Sequence, residues 1–187
     1  MPSNVENKSA PRSKDFLNTF YLQRSENMQS QICSNPQLQN ELVHNSPEPE
    51  VFQLRTQLLS KGRSDYTLAS TDLMSIRIKC FAQGGENALH AHPAEDHSFI
   101  VLDGAARFSG KDGEIGVLTK NQGIMLPKGC YYKFESCGDE PLVMLRVGAQ
   151  KEEIETYRIG PDGKPLPGKS KENNYEAGVP IEGLYYE

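Results

Sequence analysis

The sequence predicts an all-β fold, a β-barrel of roughly 100 residues that is flanked by two arms. Two observations support this prediction. Apolar and polar residues alternate with a period of two from Val51 to about Val147, and Gly- and Pro-containing turns interrupt this alternation about every 8 to 12 residues. Short alternating strands of this kind are typical of sandwiches and barrels. We therefore divide the chain into an N-terminal arm (1–50), a barrel (51–150) and an extended C-terminal arm (151–187).

The N-terminal arm differs in composition from the barrel, because Asn, Gln and Ser supply 19 of its 50 residues. It contains signals for two short helices, one capped by Ser13 and one that starts at the pair Asn35-Pro36. Short helices are marginally stable alone and need a surface on which to dock. We expect the first dozen residues to be disordered and Ser46–Glu50 to be a linker.

The barrel strands follow from the alternation itself. In the segment Leu73–Phe81, apolar residues alternate with Ser75, Arg77 and Lys79, and Lys111-Asp112-Gly113 is a hairpin turn signal. The predicted strands are Phe52–Leu58, Leu73–Phe81, His97–Phe108 with a break at Asp103-Gly104, Gly123–Pro127, Tyr131–Ser136 and Leu142–Val147.

The C-terminal arm is polar and rich in Gly and Pro, so we expect an extended segment without its own core. The apolar residues near its end are expected to fix it onto the barrel: Val179, Ile181, Leu184, Tyr185 and Tyr186. Because arms around a small barrel often pair protomers, we also expect a homodimer.

The overall composition excludes several classes of protein. The formal net charge of −5 argues against a nucleic-acid partner, and no apolar run approaches the ~18 residues of a membrane span. The first residues lack the apolar core of a secretion signal, so we expect a cytoplasmic location. The four cysteines form no C-x-x-C pair, and we expect them to be free thiols.

Three of the four histidines, His90, His92 and His97, lie within eight positions. Residues two apart on a strand face the same side, so His90 and His92 project together. We expect the strand to end at Pro93, the chain to turn at Ala94–Asp96, and His97 to face the first two histidines from the next strand. Three neutral imidazoles suit a divalent transition metal such as Fe, Zn, Ni or Cu. A hydrogen-bonded histidine cluster without metal is the alternative.

Two acidic residues in this turn, Glu95 and Asp96, are interpreted as solvated side chains rather than as metal ligands. Asp96 becomes the better candidate ligand in place of His97 if His97 does not bind metal.

The spacing of these residues resembles the first motif of the cupins, which runs Gly, five residues, His-x-His, three or four residues, Glu, six residues, Gly. Gly84, His90, His92 and Gly104 fall in register with it, and His97 occupies the Glu position when four residues intervene.

The second cupin motif is matched in part, by Pro127 and Gly129. Asn121 stands at its leading Gly position, Tyr132 at its His position and Ser136 at its final Asn position. The resemblance covers about residues 51–150. It implies a jelly-roll barrel with a metal inside, held here by His90, His92 and His97, with Fe(II) favoured and Zn or Ni possible.

Replacing the family carboxylate by His97 would leave more of the metal's charge facing the cavity, which favours an anionic or chelating substrate. Tyr132 is interpreted as a proton donor or a metal ligand. The other candidate substrate-binding residues are Arg77, Lys79, Phe99, Cys130 and Arg146, although alternation alone does not decide which basic residue points inward.

Three functions are compatible with this site. The preferred one is a non-haem Fe(II) dioxygenase for a small anionic substrate. The second is a non-redox isomerase, cyclase, dehydratase or lyase in which Tyr132 and a histidine move protons. The third is a small-molecule-binding or sensing module without turnover.

Overall fold

The computed structural model describes residues 48–82, 86–150 and 157–187. The predicted N-terminal helices and Gly84 lie outside these ranges. The strands are β1 (Thr56–Lys61), β2 (Arg63–Ser70), β3 (Met74–Phe81), β4 (Glu95–Asp103), β5 (Ala105–Gly110), β6 (Gly113–Thr119), β7 (Gly123–Leu126), β8 (Lys133–Ser136), β9 (Leu142–Gln150) and β10 (Val179–Tyr186). A 3₁₀ turn spans Lys171–Asn173. In the described ranges no helix is long and apolar enough to cross a membrane.

The barrel interior lies between two antiparallel sheets, whose strand orders are β2-β3-β9-β4-β7 and β6-β5-β8. Phe99 of the first sheet packs against Phe108 and Phe134 of the second, with ring centroids 6.0 and 5.5 Å apart. Each such aromatic pair contributes about 1 kcal/mol beyond its burial. The fold is thus the all-β jelly-roll barrel that the sequence predicts.

A second apolar cluster covers the outer face of the larger sheet. Leu59 of β1 packs there with Ile78, Cys80 and Val143, and Tyr186 lies against them. β10 pairs with β1 in a separate two-stranded sheet, so the predicted anchor near the C-terminus takes the form of a strand. The homodimer stays a prediction.

Three strands were not predicted as such: β2, β6, which follows the predicted hairpin turn, and β10, which lies in the arm predicted to be extended. Of these, β2 has an internal reason. Its sequence, RSDYTLAS, lacks clean alternation because its interior-facing positions are polar. Asp65 stands opposite Lys79 and Thr67 stands opposite Arg77 in the β2–β3 ladder, and both side chains accept hydrogen bonds from these partners. Cross-strand polar pairs stabilise this edge in place of apolar packing.

The register of the large sheet decides which basic residues point inward. Arg77 stands opposite Arg146, which in turn stands opposite Phe99 of the aromatic core. Because partners across a ladder share a face, Arg77 and Arg146 point to the interior, and Lys79 follows two residues after Arg77.

The bend between β1 and β2 requires glycine at position 62. Gly62 has a φ of +69°, and a Cβ there would collide with the carbonyl oxygen of Ala177. We expect Gly62→Ala to reduce the free energy of unfolding by more than about 2 kcal/mol, measured by urea denaturation. Gly163→Ala is the matched control, since Gly163 has a φ of +77° but nothing within 4 Å, so it should cost only about 1 kcal/mol. Equal losses in the two variants would contradict the close approach to Ala177.

Candidate functional site

Two short segments outside the long strands carry His90 and Tyr132. They form an antiparallel bridge in which the His90 N–H donates to the Tyr132 carbonyl over 3.1 Å and the Tyr132 N–H donates back over 2.8 Å. The carbonyl of His92 accepts from the Gly129 N–H over 2.8 Å. The two segments that resemble cupin motifs are therefore joined directly through their backbones.

The three imidazoles converge inside the barrel. The ring centroid of His92 lies 5.2 Å from that of His90 and 4.1 Å from that of His97. His90 is fully buried, and only 1% of His97 and 7% of His92 is exposed. His97 faces inward, as the sequence predicts, because it lies on the same side of β4 as Phe99.

Several imidazole nitrogens have no hydrogen-bonding partner. His90 Nδ1 lies 2.7 Å from the Ala88 carbonyl, so this nitrogen carries the proton and Nε2 keeps a free lone pair. Among the described residues, His90 Nε2 and both nitrogens of His92 are buried without a hydrogen-bonding partner, and His92 Nδ1 lies 3.6 Å from Glu95 Oε2. Buried polar atoms are normally paired with protein groups or ordered water, so these nitrogens are available to a ligand.

His97 contacts three polar side chains. Its Nδ1 lies 2.9 Å from the Tyr132 hydroxyl, and its Nε2 lies 2.5 Å from an Arg146 nitrogen and 2.9 Å from Glu95 Oε2. A guanidinium can only donate, so the shorter contact assigns the lone pair to Nε2 and the proton to Nδ1. Nδ1–H then donates to Tyr132. Two acceptors, His97 Nε2 and Glu95 Oε2, face one another with no proton between them.

The imidazoles are kept neutral by their surroundings. Burial, aided by the charge of Arg158, lowers the pKa of His90 to about 3. Burial also lowers the pKa values of His92 and His97, although the negative charge of Glu95 opposes the shift at His97. Neutral imidazoles are the form that binds metals.

Glu95 corrects the sequence-based interpretation of the turn at Ala94–Asp96. β4 begins at Glu95, so Glu95 and His97 lie two residues apart on one strand and face the same side. Glu95 Oε1 accepts from Arg146 over 2.6 Å, and its side chain is only 12% exposed. Burial raises the pKa of Glu95, but the net shift is downward, because the guanidinium of Arg146 stabilises the carboxylate through its charge and a hydrogen bond. Glu95 is thus a buried carboxylate rather than a solvated one.

These residues form a donor set that fits a divalent transition metal. His92, Glu95 and His97 each offer a ligand atom, and these atoms lie within 4.8 Å of one another. His90 is not part of this group, although its free Nε2 lies on the adjoining ring. Two imidazoles and a carboxylate suit Zn, Fe or Ni. Since Arg146 contacts both His97 and Glu95, a cation bound to these atoms would compete with its guanidinium.

A cavity of about 420 Å³, which we call the first cavity, adjoins this cluster. Five residues that the sequence predicted for the site line it, namely Arg77, Lys79, Phe99, Tyr132 and Arg146. Asp65 accepts from both Arg77 (2.7 Å) and Lys79 (2.5 Å). Cys130 instead packs half-buried against the core cluster and is not part of the cavity lining.

Arg158 is a lining residue that the sequence analysis missed. Ile159 pairs with Ala91 through two backbone hydrogen bonds of 3.0 Å, so the C-terminal segment crosses the barrel next to His92. Arg158 precedes this pair and lines the first cavity. The only signal in the sequence was the short alternation Tyr157-Arg158-Ile159 within a polar arm, which is too short to predict a bridge.

Tyr132 is almost fully buried beside these groups, and burial raises the pKa of its phenol above the usual range. The phenol therefore keeps its proton. Because it accepts from His97 Nδ1–H, its own O–H remains available for a ligand in the cavity that Tyr132 lines.

Comparison with known proteins agrees with this geometry. The family model described as "Cupin domain" matches residues 77–148, which include all three histidines and Tyr132. A curated relative, the uncharacterized protein YdbB of Bacillus subtilis (strain 168), is 32% identical over 78 residues; the matched region is 42% of this chain and 67% of that protein.

Solved structures include similar proteins at lower identity. A cupin superfamily protein from Desulfitobacterium hafniense DCB-2 is 20% identical, with a TM-score of 0.43 over 48% of this chain and 78% of its own. KdgF from a Halomonas species is 16% identical, with a TM-score of 0.44 over 49% of this chain and 82% of its own. The family match and the relative together establish that the chain belongs to the cupin superfamily.

Proposed function

We propose that this protein is a metal-dependent enzyme that acts on a small anionic or chelating organic substrate. The observation that carries the proposal is the set of buried, neutral imidazole nitrogens without hydrogen-bonding partners beside Glu95, at a place where His92 and Glu95 line the first cavity. His92, Glu95 and His97 would hold the metal, and His90 Nε2 is a further donor. In the part of the chain that the structure describes, His90 Nε2 and the nitrogens of His92 have no hydrogen-bonding partner.

The charges around the first cavity support an anionic substrate. Four basic side chains line it, against three acidic ones, of which Asp72 is exposed. Asp65 is shared between Arg77 and Lys79, so the pair retains one positive charge. A carboxylate or enolate would therefore be attracted into the cavity.

The chemistry proposed for the site combines charge stabilisation with proton transfer. A bound divalent cation would act as a Lewis acid that stabilises developing negative charge on an oxygen of the substrate. Tyr132 would donate its O–H to the substrate, while Nδ1–H of His97 holds the phenol oxygen and stabilises any phenolate that forms.

The redox class of the reaction follows from the metal. The Fe(II) dioxygenase preferred from the sequence stays a prediction, since two imidazoles and a carboxylate accept iron, zinc and nickel alike. The available O–H of Tyr132 favours the non-redox alternative, in which a proton is moved at the substrate. Oxygen consumption by the iron-loaded protein separates the two.

The metal proposal predicts specific losses on mutation. After loading with Fe(II), Zn²⁺ or Ni²⁺ and removal of free metal, the wild-type protein should retain about one ion per chain, as measured by plasma mass spectrometry. His92→Ala and Glu95→Gln should weaken metal binding at least about tenfold, because each removes a ligand atom. Glu135→Gln, at a carboxylate that pairs with Lys133, is the matched control and should bind as the wild type does. A wild-type protein that retains none of the three metals would refute the proposal.

The proton-transfer role predicts a separate effect of Tyr132→Phe. This variant keeps the ring but lacks the hydroxyl, so it should retain its metal while losing acid–base activity. We expect α-proton exchange of small keto acids in D₂O, followed by NMR with the zinc-loaded protein, to fall about 100-fold. Exchange at the wild-type rate would exclude Tyr132 as the proton donor, and the absence of exchange in the wild type would favour oxygen chemistry or a binding module.

The cavity charge also predicts a pH dependence. Burial lowers the pKa of Lys79 to about 8, although the charge of Asp65 opposes the shift. A free lysine has a pKa of about 10.4. Lys79 should therefore become reactive toward acetic anhydride with a midpoint near pH 8, as measured by peptide mass spectrometry. The exposed Lys164 serves as the internal reference that corrects for the pH dependence of the reagent itself. Asp65→Asn should lower the midpoint further. A midpoint near pH 10 would show that Lys79 is not desolvated.

A further inference from the structure

The guanidinium of Arg158 differs from the other basic groups around the first cavity. Arg77 and Lys79 are paired with Asp65, and Arg146 is paired with Glu95. None of the ion pairs among the described residues includes Arg158, and its Nε is buried without a hydrogen-bonding partner. A buried N–H donor of a charged group is thus left without an acceptor.

The backbone at Arg158 is fixed by hydrogen bonds to other segments. The neighbouring Ile159 is paired with Ala91, and the Arg158 carbonyl accepts from the Leu166 N–H over 3.0 Å. Tyr131 donates its hydroxyl to the Gly160 carbonyl over 3.1 Å. These contacts place Arg158 beside His92, with which it shares the lining of the first cavity.

Arg158 also borders a second cavity, of about 470 Å³, on the side of the C-terminal segment. Lys79, Asp65 and Asn87 line both cavities together with Arg158, so these residues form the boundary between them. Lys169 and Tyr175 line the second cavity but not the first. A ligand that reaches from the histidines to Arg158 would therefore occupy the first cavity up to this boundary.

A half-buried guanidinium whose Nε is buried without an acceptor is well suited to bind an oxyanion. Burial lowers the pKa of Arg158, yet an arginine retains its charge in proteins. Its planar fork binds the two oxygens of a carboxylate or phosphate in parallel, and such charge-assisted hydrogen bonds strengthen where water is excluded. An oxyanion would supply the acceptor that Nε lacks.

We propose that Arg158 is a specificity-determining residue that anchors an oxyanion, either a carboxylate or a phosphate, of the substrate. The substrate would be a small organic anion with one end at the histidine cluster and an oxyanion at Arg158. The placement of one end of the substrate at the histidine cluster rests on the proposed function. The binding of the oxyanion by Arg158 does not require a metal. Arg158 lies outside residues 77–148, so the C-terminal segment adds this contact to the family barrel.

The test is isothermal titration calorimetry on the metal-free full-length protein at constant ionic strength, with malonate, succinate and inorganic phosphate as probes. The wild type should bind at least one probe, and Arg158→Gln should weaken that binding tenfold or more. Arg107→Gln removes an exposed arginine that pairs with Glu114, and should bind as the wild type does. Preference for malonate or succinate over phosphate identifies a carboxylate, and the reverse identifies a phosphate.

Two results would overturn the proposal, namely no binding of any probe by the wild type or binding by Arg158→Gln within twofold of the wild type. If Arg158→Gln does not fold, as judged by circular dichroism, Arg158→Lys decides: it keeps the charge but loses the planar fork, so it should bind at least fivefold more weakly. Binding equal to the wild type would then overturn the proposal. Retained anion binding in a protein that takes up no metal would refute the proposed function but not the role of Arg158.

Discussion

The need to provide partners for buried imidazole lone pairs governs the interior of this barrel. His90, His92 and His97 lie where water is excluded, so the pairing of each nitrogen affects whether the fold is stable and what it can bind. His97 is paired by Tyr132 and Arg146, whereas His90 Nε2 and both nitrogens of His92 are not paired. Leaving such atoms unpaired costs about 1–3 kcal/mol each. A cation bound at this place would pair the free lone pair of His92 and so recover part of that cost.

The strand register brings the remaining groups to the same place. The β3–β9–β4 ladder sets Arg77, Arg146 and Phe99 side by side, so the charges lie next to the aromatic core rather than on the surface. Arg146 can then contact His97 and Glu95 at once. The C-terminal segment completes the wall with Arg158, through a bridge between Ile159 and Ala91. The barrel matched by the family model thus provides the histidines, and a segment outside that match provides a further positively charged side chain, Arg158.

The sequence predicted the barrel and most of its strands because alternation with a period of two is a direct consequence of one buried face. It did not predict β2, whose inward-facing Asp65 and Thr67 find partners only across the ladder with Lys79 and Arg77. It assigned Glu95 to a solvated turn, because the proximity of Pro93 suggested a break two residues longer than the one observed. The convergence of His92 and His97 could be predicted because residues two apart on a strand face the same side. The position of Arg158 could not be predicted, because it depends on the long-range bridge between Ile159 and Ala91, which no local pattern encodes.

The most direct test of the metal site is anomalous X-ray diffraction from crystals grown with Zn²⁺ or Ni²⁺, recorded above and below the absorption edge of the metal. The geometry predicts one anomalous peak inside the barrel, within bonding distance of His92, Glu95 and His97, with the guanidinium of Arg146 moved away from His97 Nε2. A barrel interior without an anomalous peak, with Arg146 still in contact with His97 and ions bound only at the surface, would contradict the account.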